Sequence, residues 1–201
     1  MCITYYNDSD LRKKRKPMNI FDFDGTIHRG DSSVAFYLYC LRRRPYIVLL
    51  LPVQAAAALL HVLGMIDVTA MKQAFDLYFR LIDAEALLPA FWDQDRKNIQ
   101  DWYLRVHSDD DVLISASPEF MLAPICRELG IRTLIASRVD PRTGRYSGKN
   151  CSGDEKVGRF REIYPDAVPE NSYYDRDSDL PVSSLAVHGF RIKNGEPVQE
   201  F

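Results

Sequence analysis

The chain has 201 residues, with 26 Lys and Arg against 28 Asp and Glu and a formal net charge of −2 at pH 7. That length suits one domain with an insertion and is enough to bury a core. The near balance of charge excludes the broad basic field that nucleic-acid binding uses, so no nucleic-acid partner is expected.

Residues 1–17 are polar, end in Pro17, and are expected to form a mobile basic arm. The run Arg12 to Lys16 reads either as a solvated tail or as a contact for an anionic bilayer. Near such a surface each clustered cation adds about 1 kcal/mol. No signal peptide is expected, because a short apolar strand follows the basic run at once.

That strand is Met18 to Phe23. It carries Asp22 and Asp24 at period 2, then Gly25 and Thr26 break the pattern. At a strand end both acids can face one ligand at the carboxyl edge, where open α/β sheets bind. One carboxylate can attack phosphorus and carry the phosphoryl group. The other can protonate the leaving oxygen and then deprotonate water. Two anions beside a phosphate need a hard cation, and Mg²⁺ is the expected cofactor.

Residues 27–33 read as a loop, where His28 and Arg29 lie close enough to Asp22 in sequence to face substrate but are expected at the surface. Val34 to Leu41 suits a helix that Asp31 or Ser32 can cap. The basic run Arg42 to Arg44 follows, and then Tyr46 to Ile66 carries no charge at all. That apolar length matches a bilayer span. A single crossing would put Asp22 and all later chemistry on opposite sides of the membrane. A second crossing through residues 67–92 would bury Asp67, Lys72, Asp76, Arg80, Asp83 and Glu85. Each such charge costs about 2.5 to 3.5 kcal/mol at mid-bilayer. The readings left are a buried helix and a bent hairpin, broken near Pro52 or Gly64, that enters one leaflet.

Thr69 to Phe91 is amphipathic, and Ile99 to Val106 suits a further helix. Val112 to Pro118 reads as a strand ending in hydroxyls, with Ser117 placed to cap the helix that starts at Pro118. That helix ends at Gly130, and Arg132 to Ser137 is the next strand. A turn or hairpin spans residues 144–148, and a helix opens at Cys151 to Lys156. Ser172 to Tyr174 leads into the acids Asp175, Asp177 and Asp179. Leu185 to Val187 and Phe190 to Ile192 read as closing strand pieces, with a turn at Gly195 to Pro197. The cysteines Cys2, Cys40, Cys126 and Cys151 follow no metal or disulfide spacing and read as reduced thiols.

The string Asp22-Phe23-Asp24-Gly25-Thr26 resembles the first motif of the haloacid dehalogenase-like hydrolases. The resemblance implies Asp22 as nucleophile and Asp24 as general acid and base. It implies Mg²⁺ held by Asp22, by Asp24 through its backbone carbonyl, and by Asp175. Ser115 matches the second motif and Lys156 the third, with Lys149 as fallback. Asp175 and Asp179 match the fourth, where Asp179 supports the metal or the lysine. Tyr174 and Arg176 depart from that motif, and Asp177 stays open as the alternative acid. Gly25, Thr26, Ala116 and Arg176 are expected to contact substrate.

The family fold is an α/β Rossmann-like core with a parallel sheet flanked by helices, plus an inserted all-helical type 1 cap. The core is expected at residues 18–28 and 109–201, and the cap at 29–108 with apolar segment 46–66. Leu41 to Pro45, the apolar run and Gly153 to Lys156 resemble the bacterial phosphatidylglycerophosphatase C type. That implies a phosphate ester presented by a lipid, and a peripheral or monotopic place on the cytoplasmic face of the inner membrane. Alternatives are a soluble phosphatase of the phosphoserine phosphatase type, a phosphotransferase, and a non-catalytic binding protein on the same fold.

Overall fold

The computed structural model describes residues 18–201. The basic arm and Cys2 lie outside them. Strand β1 (Asn19–Phe21) enters first and is buried throughout. Five α-helices follow between residues 32 and 106: α1 (Ser32–Arg43), α2 (Leu51–Val62), α3 (Val68–Phe75), α4 (Ala84–Asp95) and α5 (Asp101–Val106). The chain then alternates strand and helix through β2 (Val112–Pro118), α6 (Glu119–Glu128), β3 (Thr133–Ser137), α7 (Asp154–Ile163) and β4 (Asn171–Tyr174). It closes with the short α8 (Leu180–Ser183), β5 (His188–Lys193) and β6 (Glu196–Gln199).

The six strands form one sheet in the order β3-β2-β1-β4-β5-β6. All neighbours are parallel except β5 and β6. This is the mixed α/β, Rossmann-like architecture expected of the sequence. Alternation along the strands serves two cores. Phe21 and Leu113 join the cluster under α1, α4 and α6, whereas Ile20, Val112 and Ile114 pack with Phe160 and Val182. Period 2 is the reason: successive side chains leave a strand on opposite faces. Tyr173 stacks on Phe21 with ring centroids 4.5 Å apart, and Tyr103 meets Phe21 edge-on at 5.0 Å.

Several expected elements change. Asp31, not Ser32, caps α1, accepting from the Val34 N–H at 3.0 Å. The uncharged stretch is not one long helix. It opens as a 3₁₀ turn, Pro45–Leu50, and Pro52 then stands in the first turn of α2, where its missing N–H costs nothing. The chain turns again at Gly64, with φ of +70°. Residues 69–91 break into three helical pieces because Asp83 caps a new helix at Ala84. Leu185 to Val187 is turn rather than strand, and Pro197 sits in edge strand β6 rather than in the turn, which Asn194 and Gly195 make with positive φ. His28 is not at the surface. Its ring is buried, with Nε2 2.7 Å from Asp95 and Nδ1 3.1 Å from the Gly30 carbonyl, so it pins the first loop to α4.

Candidate active site

The register of the sheet builds the site. Phe21 pairs with Leu113 on one side and Tyr173 on the other. The residues just beyond those pairs, Asp22, Ser115 and Asp175, therefore reach one carboxyl edge together. The Asp22 N–H donates to the Tyr173 carbonyl at 2.9 Å, so the ladder continues up to the nucleophile position. A cavity of about 520 Å³ opens above this edge. Asp22, Asp24, Ser115, Ala116, Lys156, Asp175, Arg176 and Asp179 all line it.

Lys156 is buried in the first turn of α7 and donates to Asp22 at 2.6 Å and to Asp179 at 2.7 Å. Burial alone would lower its pKa, but the two carboxylates more than offset this and hold the ammonium charged. Burial pushes the Asp22 carboxyl up, and the Lys156 ammonium pulls it back. Asp24 takes a different posture. Its carboxylate accepts from the Ser32 N–H at 2.7 Å and from the Ser117 hydroxyl at 2.5 Å. Burial raises its pKa against those two bonds, which favours a carboxyl able to give up a proton to a leaving group. Ser117 is thus not the cap expected for α6. Pro118 holds that position without a side-chain bond, and Ser117 links Asp24 to Ser33, whose hydroxyl is 2.9 Å away.

The acids fit a hard divalent cation. Ligand oxygens of Asp22, Asp175 and Asp179 lie within 4.8 Å of one another. Asp175 Oδ1 is buried and has no hydrogen-bond partner. Lys156 pairs with Asp22 and Asp179 and Arg176 with Asp175, so two cations face three carboxylates and a negative charge remains, which is the condition a cation such as Mg²⁺ relieves. The Asp24 side chain is not part of that trio, which leaves only its backbone carbonyl for the ligand role implied by the resemblance.

Other expected residues sit elsewhere. Lys149 is exposed and offers only its carbonyl, to Arg159. Asp177 points to solvent and pairs with Arg191. Thr26 does not line the cavity: its side chain is fully buried and its carbonyl accepts from Gln100 at 3.0 Å. Gly25 also lies off the cavity and makes room instead. Its φ is +80°, and a Cβ there would fall 2.2 Å from Asp175 Oδ2. Gly25→Ala is therefore expected to displace Asp175. The left-handed backbone alone costs about 1–2 kcal/mol, and misplacing a ligand by about 1 Å costs roughly 100-fold in turnover. Steady-state kinetics with a melting curve checks this, and near-normal turnover would refute it.

The sequence reading missed the helical wall. Met71, Lys72, Phe75 and Asp76 of the α3 region line the cavity with Val34, Tyr37 and Leu38 of α1. A polar seam ties this wall to the loop after β3. Asn150 N–H donates to Thr69 at 3.0 Å, Tyr146 N–H to Gln73 at 3.1 Å, and the Tyr146 hydroxyl to Asp76 at 3.0 Å. The i, i+4 spacing of Lys72 and Asp76 beside Met71 and Phe75 was the available signal.

Burial pushes the Asp76 carboxyl up to about 7, against the Tyr146 bond and the Lys72 charge. A carboxyl raised in the fold binds its proton more tightly than the unfolded chain does. Stability is therefore present at low pH and is lost as pH climbs from about 4 to about 7. Asp76→Asn removes that dependence. The melting midpoint of the natural protein is expected to fall relative to the variant between pH 5 and pH 8. Parallel curves across that range would show that Asp76 is not the titrating group.

Comparison with known proteins agrees with this geometry. A family model described as haloacid dehalogenase-like hydrolase matches residues 20–184. Protein CicA of Caulobacter vibrioides is 31% identical over 196 residues, covering 88% of this chain and 86% of its own. A Bordetella pertussis protein of unknown function has a similar fold, with TM-score 0.63 at 20% identity over 87% of this chain and 88% of its own. A phosphoserine phosphohydrolase-like protein from Francisella tularensis gives TM-score 0.56 at 15% identity over 88% and 87%. Motifs, sheet order and matched length thus agree, and the chain belongs to the haloacid dehalogenase-like hydrolases.

Proposed function

We propose that the protein is a Mg²⁺-dependent phosphomonoesterase acting on a lipid phosphate at a membrane surface. The observation that carries the lipid part is the inverted face of the apolar helix. In the uncharged stretch, Leu49, Val62, Leu63 and Met65 are 75%, 81%, 61% and 69% exposed. Its one buried polar residue, Gln54, faces inward and bonds Tyr37 and the Phe75 carbonyl. A water-facing helix does the opposite, and a contiguous apolar patch marks a binding surface. That exposure supports the surface-binding reading of this segment over the buried-helix one. Arg42, Arg43 and Arg44 are exposed at its start, placed for anionic headgroups. Exposed Val34, Leu38 and Phe75 also line the cavity, so its mouth is apolar.

The reaction runs in two displacements. An Asp22 oxygen attacks phosphorus as the ester P–O bond breaks, and Asp24 gives its proton to the leaving alkoxide. Water then attacks the aspartyl-phosphate, Asp24 takes a proton from it, and phosphate leaves with Asp22 restored. Lys156 and the Ser115 hydroxyl stabilise charge on the phosphoryl oxygens. Asp22 and Asp175, with Asp179 beside them, would hold the cation, which supplies further charge neutralisation when bound.

The test is a substrate panel with Mg²⁺ and with EDTA: phosphatidylglycerophosphate and phosphatidic acid in micelles, phosphoserine and p-nitrophenyl phosphate in solution. Lipid esters are expected to have the highest kcat/KM, and EDTA to stop turnover. Higher kcat/KM for phosphoserine would favour the soluble metabolite phosphatase. Sedimentation with phosphatidylglycerol vesicles tests the surface. A Leu49→Glu, Val62→Glu double variant is expected to lose bound fraction tenfold or more, since each buried Leu or Val contributes about 1.5–3 kcal/mol. Equal sedimentation of both proteins would remove the membrane argument.

A further inference from the structure

Three cationic side chains line the cavity: Lys72, Lys156 and Arg176. Lys156 is held by Asp22 and Asp179, and Arg176 by Asp175 at 3.2 Å. Lys72 makes no ion pair among the described residues. Its ammonium donates to two neutral acceptors, the Ala116 carbonyl at 3.1 Å and Asn150 Oδ1 at 2.9 Å. An ammonium has three donors, so one stays free among the described residues. Asp76, Asp31 and Asp24 favour its charge from a distance, but none of them forms an ion pair with it. Burial works against this cation, those carboxylates offset only part of that, and the free donor leaves a direct contact open to an anion.

Its position says which anion. Ala116 follows Ser115, so the ammonium rests against the residue next to the phosphoryl ligand of the reaction described above. It stands on the helical wall, whereas Asp22 stands at the sheet edge just past β1 and Lys156 on α7. Met71 and Phe75 flank it on the same helix and make the lining around it apolar. A substrate whose phosphomonoester reaches Asp22 passes this wall with the body that carries the ester.

We propose that Lys72 binds a second oxyanion of the substrate, so that the site selects phosphomonoesters carrying a further phosphodiester or carboxylate group. This rests on the phosphatase reading above and adds a specificity residue to it. Lys72 takes no part in bond making. It sets affinity for the ground state and transition state alike, so its effect belongs in KM.

The experiment compares natural protein, Lys72→Met and Lys72→Arg on two matched pairs of esters. Phosphatidylglycerophosphate and phosphatidic acid share micelles and differ in the phosphodiester. Phosphoglycolate and p-nitrophenyl phosphate are soluble, and only the first has a carboxylate. In the natural protein, KM is expected to be lower for the two-oxyanion member of at least one pair. Lys72→Met should cut the kcat/KM ratio of that pair tenfold or more, through KM, and Lys72→Arg should restore most of it. The pair that responds identifies the oxyanion as diester or carboxylate. A natural protein with no KM preference in either pair overturns the inference without any variant. A uniform loss of kcat on all four esters overturns it too, because it assigns Lys72 to holding the wall in place. Turnover of none of the four by the natural protein would instead bring down the phosphatase reading, and this inference with it.

Discussion

Asp22→Asn is expected to reduce phosphate-ester turnover by roughly 10⁴-fold or more, the scale seen when a nucleophile is removed from a unit that works together. The amide nitrogen and oxygen fit the same space, and the oxygen can still accept from Lys156. The fold should therefore persist, with a melting midpoint close to the natural one. Rapid quench with radiolabelled substrate gives a sharper readout than rate alone. The natural protein should carry acid-stable label that hydroxylamine releases, as an acyl-phosphate does, and the variant should carry none. Labelled variant, or turnover within tenfold of the natural protein, would put the nucleophile elsewhere. Asp24→Asn should separate from this. It keeps the attacking carboxylate but loses the proton donor, so label accumulates only with esters whose leaving group needs no proton.

The second large effect falls on stability as well as rate. Lys156→Met leaves Asp22 and Asp179 facing each other without the ammonium that lies 2.6 and 2.7 Å from them. Removing one partner of a buried charge set costs about 3–5 kcal/mol, because the remaining charges stay desolvated and unpaired. For a chain of this size each kcal/mol lowers the melting midpoint by about 2–4 °C, so a fall of roughly 6–20 °C is expected. Turnover should fall with it, since the phosphoryl oxygens lose a fixed positive charge. The loss of stability should shrink at low pH, where burial favours the protonated Asp22 carboxyl. A variant as stable as the natural protein at pH 7.5 would show that the ammonium is not what holds the two acids in place, and the electrostatic account of the site would fail.

The polar pattern of the first strand made much of this legible. Period 2 in Asp22 and Asp24, followed by a glycine, marks a strand end, and the order of later hydroxyl, lysine and acid was readable along the chain. Spacing also separated Lys156 from Lys149, and the structure places only Lys156 beside Asp22. Roles that depend on what lies across space were not readable. Ser117 looked like a helix cap, yet its hydroxyl meets Asp24, which is 93 residues away in sequence. Thr26 looked like a substrate contact because the motif it belongs to resembles a phosphate-handling one, but the loop turns it inward. Gly25 is needed for the approach of Asp175, a residue on another strand.

By itself the sequence determined the class of fold, the edge on which the acids gather, and the chemistry they can perform, because those follow from local periodicity and from the charge and nucleophilicity of the side chains. Only the tertiary structure decided which face of the uncharged helix looks outward, which cavity cation forms no ion pair among the described residues, and which acids share one cation-sized space. These are differences of position between segments distant in the chain, set by packing and by strand register, and residue order alone does not encode them in any local pattern.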